Sequence, residues 1–173
     1  MNVNPSYILK PLGEEDRAAF HCGYPDLDRY FLERASRDAQ NKVSAVFVLV
    51  PEAEPAKVVG YYTLSSLSIE AQQIPPELGR RLGRYKYIGA TLLGRLAVSD
   101  EHKGRGLGEF LLMDALRRAF LASRDVASFA VVVDPKDERA ARFYAKYGFI
   151  PLSGNRMFYP MASVEELARS RSW

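Results

Sequence analysis

A mixed sheet with helices on both faces, the α/β (α+β) class, is what the order of elements in this sequence predicts. Three observations carry it. Strand-like runs and one helical stretch fill the first half, and a strand–turn–helix–strand–helix–strand series fills the second. The helical stretches repeat apolar residues at helical spacing. A turn containing Gly104, Gly106 and Gly108 joins a strand directly to a helix.

The elements follow in order. Residues 7–12 (YILKPL) read as a short first strand. In 27–40, Leu27, Tyr30, Phe31 and Ala35 recur at helical spacing, with Asp26 as the N-cap. SAVFVLV (44–50) is rich in β-branched and aromatic residues and reads as a buried strand; 57–69 reads as the next strand, antiparallel to it across an EAEP turn. Pro75 and Pro76 open a long loop that runs through a basic stretch, and such loops in compact domains are often functional. TLLGRLAVSD (91–100) is a strand. The helix from about Arg105 to Ala122 puts Leu107, Leu111, Leu112, Ala115, Leu116 and Ala119 on one apolar face. ASFAVVV (127–133) is a fully buried strand, and 135–148 a helix stopped by Gly148. FIPL and MFYPM make a final strand pair. The last helix covers 163–173, with Ser163 and Glu166 as a capping box.

The 173 residues suit one domain, 1–173, large enough to bury a core without disulfides or structural metal. The apolar share of 47% and charged share of 26% are those of a globular protein. No apolar run approaches the roughly 18 residues of a membrane span. The start, MNVNPSYILKPL, lacks the basic and apolar regions of a signal peptide. Cys22 is the only cysteine and there are two histidines, so neither a disulfide nor a Cys/His metal set is expected. A cytoplasmic location is expected, without membrane contact. The net charge of +3 is unevenly placed: Arg80, Arg81, Arg84 and Lys86 crowd one short span without an acid. That span is either a solvated loop or a patch for phosphates.

A strand that ends in a glycine turn and opens a helix makes an anion site. The first helical N–H groups lack an internal partner, and the helix dipole adds partial positive charge. Lys103 and Arg105 add full charges, so the ligand expected there is a phosphate or pyrophosphate. A P-loop needs Lys-Ser/Thr after its glycines, which is absent. A Rossmann turn needs Gly-x-Gly-x-x-Gly, whereas Glu109 stands at the last position. Asp134 does end the following strand, where a ribose-binding acid would sit, so that alternative stays open. KGRGLG also fits the coenzyme A loop, Gln/Arg-x-x-Gly-x-Gly/Ala, with Lys103 at the first position.

The helix DERAARFYAKYGF resembles the closing helix of the GNAT acetyltransferases, Asn-x-x-Ala-x-x-Phe-Tyr-x-x-x-Gly-Phe, with Asp137 in place of Asn. The strand RLAV before the turn fits the same family. FHCGYPDLDRYF, GYYTLSS and LLGRLAV resemble a GNAT subgroup, the toxins of bacterial toxin–antitoxin pairs that acetylate aminoacyl-tRNA. The resemblance implies a central mixed, mostly antiparallel sheet with helices on both faces, and acetyl-CoA as donor. It implies that Leu96, Ala97 and Val98 hold the pantetheine arm. Lys103, Gly104, Arg105, Gly106, Leu107 and Gly108 would hold the pyrophosphate, and Asp137 and Phe143 would complete the donor site. Phe143 also reads as a packing aromatic.

The resemblance places the proton donor to the departing thiolate on Tyr144. A thiol ionises near about 8.5 and a tyrosine near about 10, so tyrosine still holds its proton at neutral pH. Tyr147 is a substitute outside the family position. Neither histidine reads as a base: His102 adjoins the glycine turn and reads as facing solvent or phosphate, and His21 reads as structural. Cys22 reads as a small buried packing residue. An α-amine ionises near about 7.7–8.0 and needs little help to attack, which favours an aminoacyl-tRNA acceptor over a lysine. Arg80, Arg81, Arg84, Lys86 and Arg95 are then candidates for tRNA phosphate contact. The subgroup implies a small ribbon-helix-helix antitoxin and a possible homodimer. The alternatives are acetylation of a small-molecule amine or a protein, and a binding module that has kept the fold.

Overall fold

The computed structural model describes residues 6–173. The N-terminal stretch that speaks against a signal peptide lies partly outside them. The chain forms seven strands and six helices among the described residues: β1 Tyr7–Pro11, α1 Pro25–Glu33, α2 Ala35–Gln40, β2 Ala45–Pro51, β3 Gly60–Glu70, α3 Pro76–Gly79, β4 Tyr87–Val98, α4 Leu107–Ala122, β5 Ala130–Val133, α5 Glu138–Lys146, β6 Ile150–Ser153, β7 Arg156–Pro160 and α6 Met161–Arg171. The sheet order is β1-β2-β3-β4-β5-β7-β6. The β1–β2, β2–β3, β5–β7 and β6–β7 pairs are antiparallel and β4–β5 is parallel, so the sheet is mixed and mostly antiparallel. No helix is long and apolar enough to cross a membrane among the described residues.

The chain divides into two compact units, Met1–Ser65 with Arg95–Ala115, and Ser66–Gly94 with Leu116–Trp173. In the first, Phe20, Phe31 and Tyr61 form an aromatic centre: Phe31 stacks on Tyr61 at 4.3 Å, and Phe20 meets Phe31 edge-on at 5.2 Å. Such pairs are worth about 1 kcal/mol each beyond the area they bury. The Tyr61 hydroxyl donates to the Leu27 carbonyl at 2.7 Å, which satisfies the polar end of a fully buried ring. In the second unit, Ile69, Ile74, Ala90, Ala130, Val132 and Phe158 form the core. Of residues 127–133, expected to form one fully buried strand, only Ala130–Val133 do so as β5; Ala127 is exposed and Ser128 and Phe129 are half-buried.

Several boundaries differ from expectation. The predicted helix 27–40 is two helices, broken at Arg34 (φ −122°). No glycine or proline announces the break, which is set where Phe31 and Ala35 are both fully buried. Pro25 takes the start of α1, so Asp26 lies in the first turn instead of capping it. The loop after Pro75 holds α3 and a 3₁₀ turn at Arg80–Leu82, and another 3₁₀ turn, Ala71–Gln73, precedes it. The capping box at Ser163 and Glu166 does not form. The chain enters α6 two residues earlier, at Met161, because the Met161 amide donates to the Phe129 carbonyl at 2.8 Å and its side chain is buried.

The six predicted apolar residues of α4 are all buried. Gly148 ends α5 with φ +105°, and a Cβ there would lie 2.9 Å from the Tyr159 ring. Gly148→Ala is therefore expected to lower stability by roughly 2–4 kcal/mol, combining left-handed strain with overpacking. Denaturant unfolding checks this, and a loss below about 0.5 kcal/mol would contradict it.

Candidate active site

β4 pairs with β5 only at Thr91↔Val131 and Leu92↔Val132, yet β4 continues to Val98. Leu96, Ala97 and Val98 lie on the last residues of β4.

The chain then passes a 3₁₀ turn, Asp100–His102, and the glycine turn. Gly104 and Gly106 have φ +78° and +77°, and a Cβ on either would meet open space. Glycine is required here for its backbone conformation. The turn leaves room above it, as an anion site demands. The Phe110 amide donates to the Gly106 carbonyl at 3.1 Å, which begins the ladder of α4. The Leu107 and Gly108 amides precede that first bond and have no acceptor within the helix. Leu107 is buried and anchors the turn, while Arg105 is exposed beside it. On the expectation that this turn holds acetyl-CoA, Gly106→Ala should weaken its binding about tenfold, since about 1–2 kcal/mol of left-handed strain would be relieved by reshaping the turn. The KM for acetyl-CoA measures it; an unchanged KM would show that the turn does not hold the donor.

Lys103 has partners inside the protein. Its Nζ donates to the Cys22 carbonyl at 2.6 Å and pairs with Asp100 at 2.9 Å, tying the 20–23 loop to the turn. The expected phosphate charge is thereby partly engaged. His102 is half-buried and shares a 2.7 Å hydrogen bond with Ser99 Oγ through Nδ1. Burial, then Arg105 and Lys57, push its pKa down, which disfavours the cation a phosphate would want. The ring is half-buried, so it faces solvent only in part. The His21 ring is 75% exposed, so its structural part is played by its carbonyl, which accepts from the Asp100 amide at 2.8 Å. Cys22 is buried as expected, and burial followed by Asp28 pushes its thiol up to about 11. Arg95, near the end of β4, lies face-on over the Tyr30 ring at 3.4 Å. The Tyr30 hydroxyl in turn donates to Asp38 at 2.9 Å. Tyr30 lies in the FHCGYPDLDRYF segment that resembles the toxin subgroup, whereas Asp38 carried no sequence signal.

The second group of candidates centres on α5. Asp137 caps this helix, its Oδ1 accepting from the Ala140 amide at 2.8 Å. Tyr144 is 8% exposed and packs edge-on against Phe143 at 5.2 Å and Phe149 at 5.3 Å. Its hydroxyl has no hydrogen-bond partner among the described residues, and burial raises its pKa. Phe143 is half-buried and also meets Tyr147 at 5.1 Å. Asp134, the one residue that kept the dinucleotide alternative open, is held bidentately by Arg156 at 2.8 and 3.0 Å. Its carboxylate is thus engaged within the protein. Arg80, Arg81, Arg84 and Lys86 lie at the surface. Among the described residues no group of three or more His, Cys, Asp or Glu is placed to hold a metal.

Comparison with known proteins gives three kinds of match. The acetyltransferase (GNAT) domain model matches residues 44–151. A tRNA-acetylating toxin of Mycobacterium tuberculosis is 33% identical over 78% of this chain and 78% of its own. Among solved structures, AtaT complexed with acetyl-methionyl-tRNAfMet superimposes with a TM-score of 0.88 at 30% identity, covering 94% of this chain and 99% of that one. AtaTR bound with AcCoA gives a TM-score of 0.80 at 29% identity, covering 93% and 97%.

Proposed function

The chain belongs to the GNAT acetyltransferases, and from that premise we propose that it moves the acetyl group of acetyl-CoA to the α-amine of an aminoacyl-tRNA, blocking translation as a toxin does. The observation that carries the choice of acceptor is the likeness along nearly the whole chain to a protein solved with acetyl-methionyl-tRNA, joined to the tRNA-acetylating relative. On this reading residues 1–173 act as one acetyltransferase domain in the cytoplasm. A small ribbon-helix-helix antitoxin partner and a homodimer belong to the same reading.

Acetyl-CoA supplies the acetyl group as a thioester. The residues of this chain fit it: the open cradle over Gly104 and Gly106 suits a pyrophosphate, and Leu96, Ala97 and Val98 offer backbone to the pantetheine arm. Arg105 adds charge at the turn, with Lys103 holding its shape. Asp137 acts by capping α5, and Phe143 packs beside Tyr144. With acetyl-CoA bound, the acetyl group would pass from sulfur to the amine as the C–S bond breaks; Tyr144 Oη would give its proton to the released thiolate, and the proton lost by the acylated amine would restore the phenol. Burial keeps that proton in place at neutral pH, since the raised pKa lies well above the thiol range. A neutral α-amine is already a substantial fraction near its pKa of about 7.7–8.0, so no dedicated base is required.

Labelled acetyl-CoA incubated with charged and uncharged tRNA tests the proposal. Label is expected on charged tRNA only. Donor binding without label on any tRNA would overturn the choice of acceptor and move it to small amines or proteins.

A further inference from the structure

Two aromatic side chains in the basic segment have no part in the chemistry above. Tyr85 and Tyr87 are 69% and 54% exposed, and neither hydroxyl has a hydrogen-bond partner among the described residues. They alternate with Arg84 and Lys86, and Lys86 Nζ lies 5.5 Å from the centre of the Tyr87 ring. No acidic residue occurs between Glu77 and Asp100. The backbone beneath is anchored. The Tyr85 amide donates to the Leu82 carbonyl at 2.9 Å, and the Lys86 carbonyl accepts from the Ala71 amide at 3.0 Å. Ile74 and Leu82 join the apolar core. The rings are therefore offered to solvent from a fixed base, at small entropic cost.

Cations alone would hold phosphates anywhere along an RNA helix. Exposed ring faces among cations add a second demand, a partner with free π-faces and negative charge together. A duplex keeps its bases in the stack and its A-form major groove closed to side chains; an unpaired strand offers both features. An acidic peptide would pair with the cations and leave the rings without a partner. We propose that Tyr85 and Tyr87 stack on unpaired bases of an RNA single strand, the end that carries the aminoacyl group, with its phosphates on Arg84 and Lys86. This rests on the aminoacyl-tRNA reading and specifies which part of that RNA the segment takes.

A fluorescently labelled 12-nucleotide single-stranded RNA, alone or annealed to its complement, is the probe. Tyr85→Ala/Tyr87→Ala is expected to weaken single-strand binding about tenfold or more and leave duplex binding within twofold, because stacking on each ring is removed. Tyr85→Phe/Tyr87→Phe keeps the π-faces and is expected to bind within about twofold of wild type. Unchanged single-strand binding by the alanine variant, or an equal loss in the phenylalanine variant, would overturn the proposal. Charged-tRNA kinetics separate the two readings. If wild type acetylates charged tRNA and the alanine variant does so with unchanged KM, stacking falls and the acceptor stands. If wild type leaves charged tRNA unlabelled yet loses single-strand binding in the alanine variant alone, the acceptor falls and stacking stands.

Discussion

Tyr144→Phe is expected to lower kcat for acetyl transfer by roughly 100- to 10,000-fold, the range typical of a positioned general acid. The KM for acetyl-CoA should move little, because the ring stays. Its edge-on packing against Phe143 and Phe149 is made by carbon atoms that phenylalanine keeps. The removed hydroxyl has no partner among the described residues, so no hydrogen bond is broken and stability should change by less than about 0.5 kcal/mol. A retained melting temperature with a collapsed kcat is thus the signature of chemistry rather than of folding. The pH profile carries the same information. Burial raises the Tyr144 pKa, so the acid form persists through neutral pH and beyond the ordinary tyrosine range. The sign is that activity should not fall on the alkaline side through this group below about pH 10. A kcat within threefold of wild type would remove Tyr144 from the mechanism. Tyr147→Phe serves as the control, with little change expected.

The second large effect is expected from Arg80→Glu, Arg81→Glu and Arg84→Glu together. All three side chains lie at the surface, and none holds an ion pair among the described residues, so the fold should tolerate their reversal. Each exchange removes a cation and adds an anion within one short segment. Acetylation of charged tRNA should fall by about 100-fold or more in kcat/KM. Its salt dependence should flatten by about 0.7 in logarithmic slope for each phosphate that the variant no longer neutralises. Acetyl-CoA binding should stay within about twofold, since the proposed function assigns the donor to the glycine turn and the end of β4. Full acetylation by the triple variant would show that the segment is merely solvated.

The segment also shows where sequence and structure part. Its charges were legible because lysine and arginine crowd without acids, a one-dimensional signal. Its conformation was not. The 3₁₀ turns and short helix between Ala71 and Leu82 depend on Ile74 and Leu82 reaching a core built by distant strands. The break at Arg34 and the early start of α6 have the same origin. Local propensity is nearly indifferent at those positions, so remote packing and one amide bond to Phe129 decide.

The sequence by itself determined the mixed sheet, the glycine turn, the buried face of α4 and the motif that marks Tyr144. These rest on periodicity, on residues with positive φ and on short ordered motifs, all of which are written along the chain. Only the tertiary structure decided that Lys103 is tied to Cys22 and Asp100, that Asp134 is held by Arg156, and that Arg95 lies over Tyr30. Partners so far apart in sequence meet only when strands and loops are packed, and a charge that finds such a partner is no longer free for the ligand its type suggests.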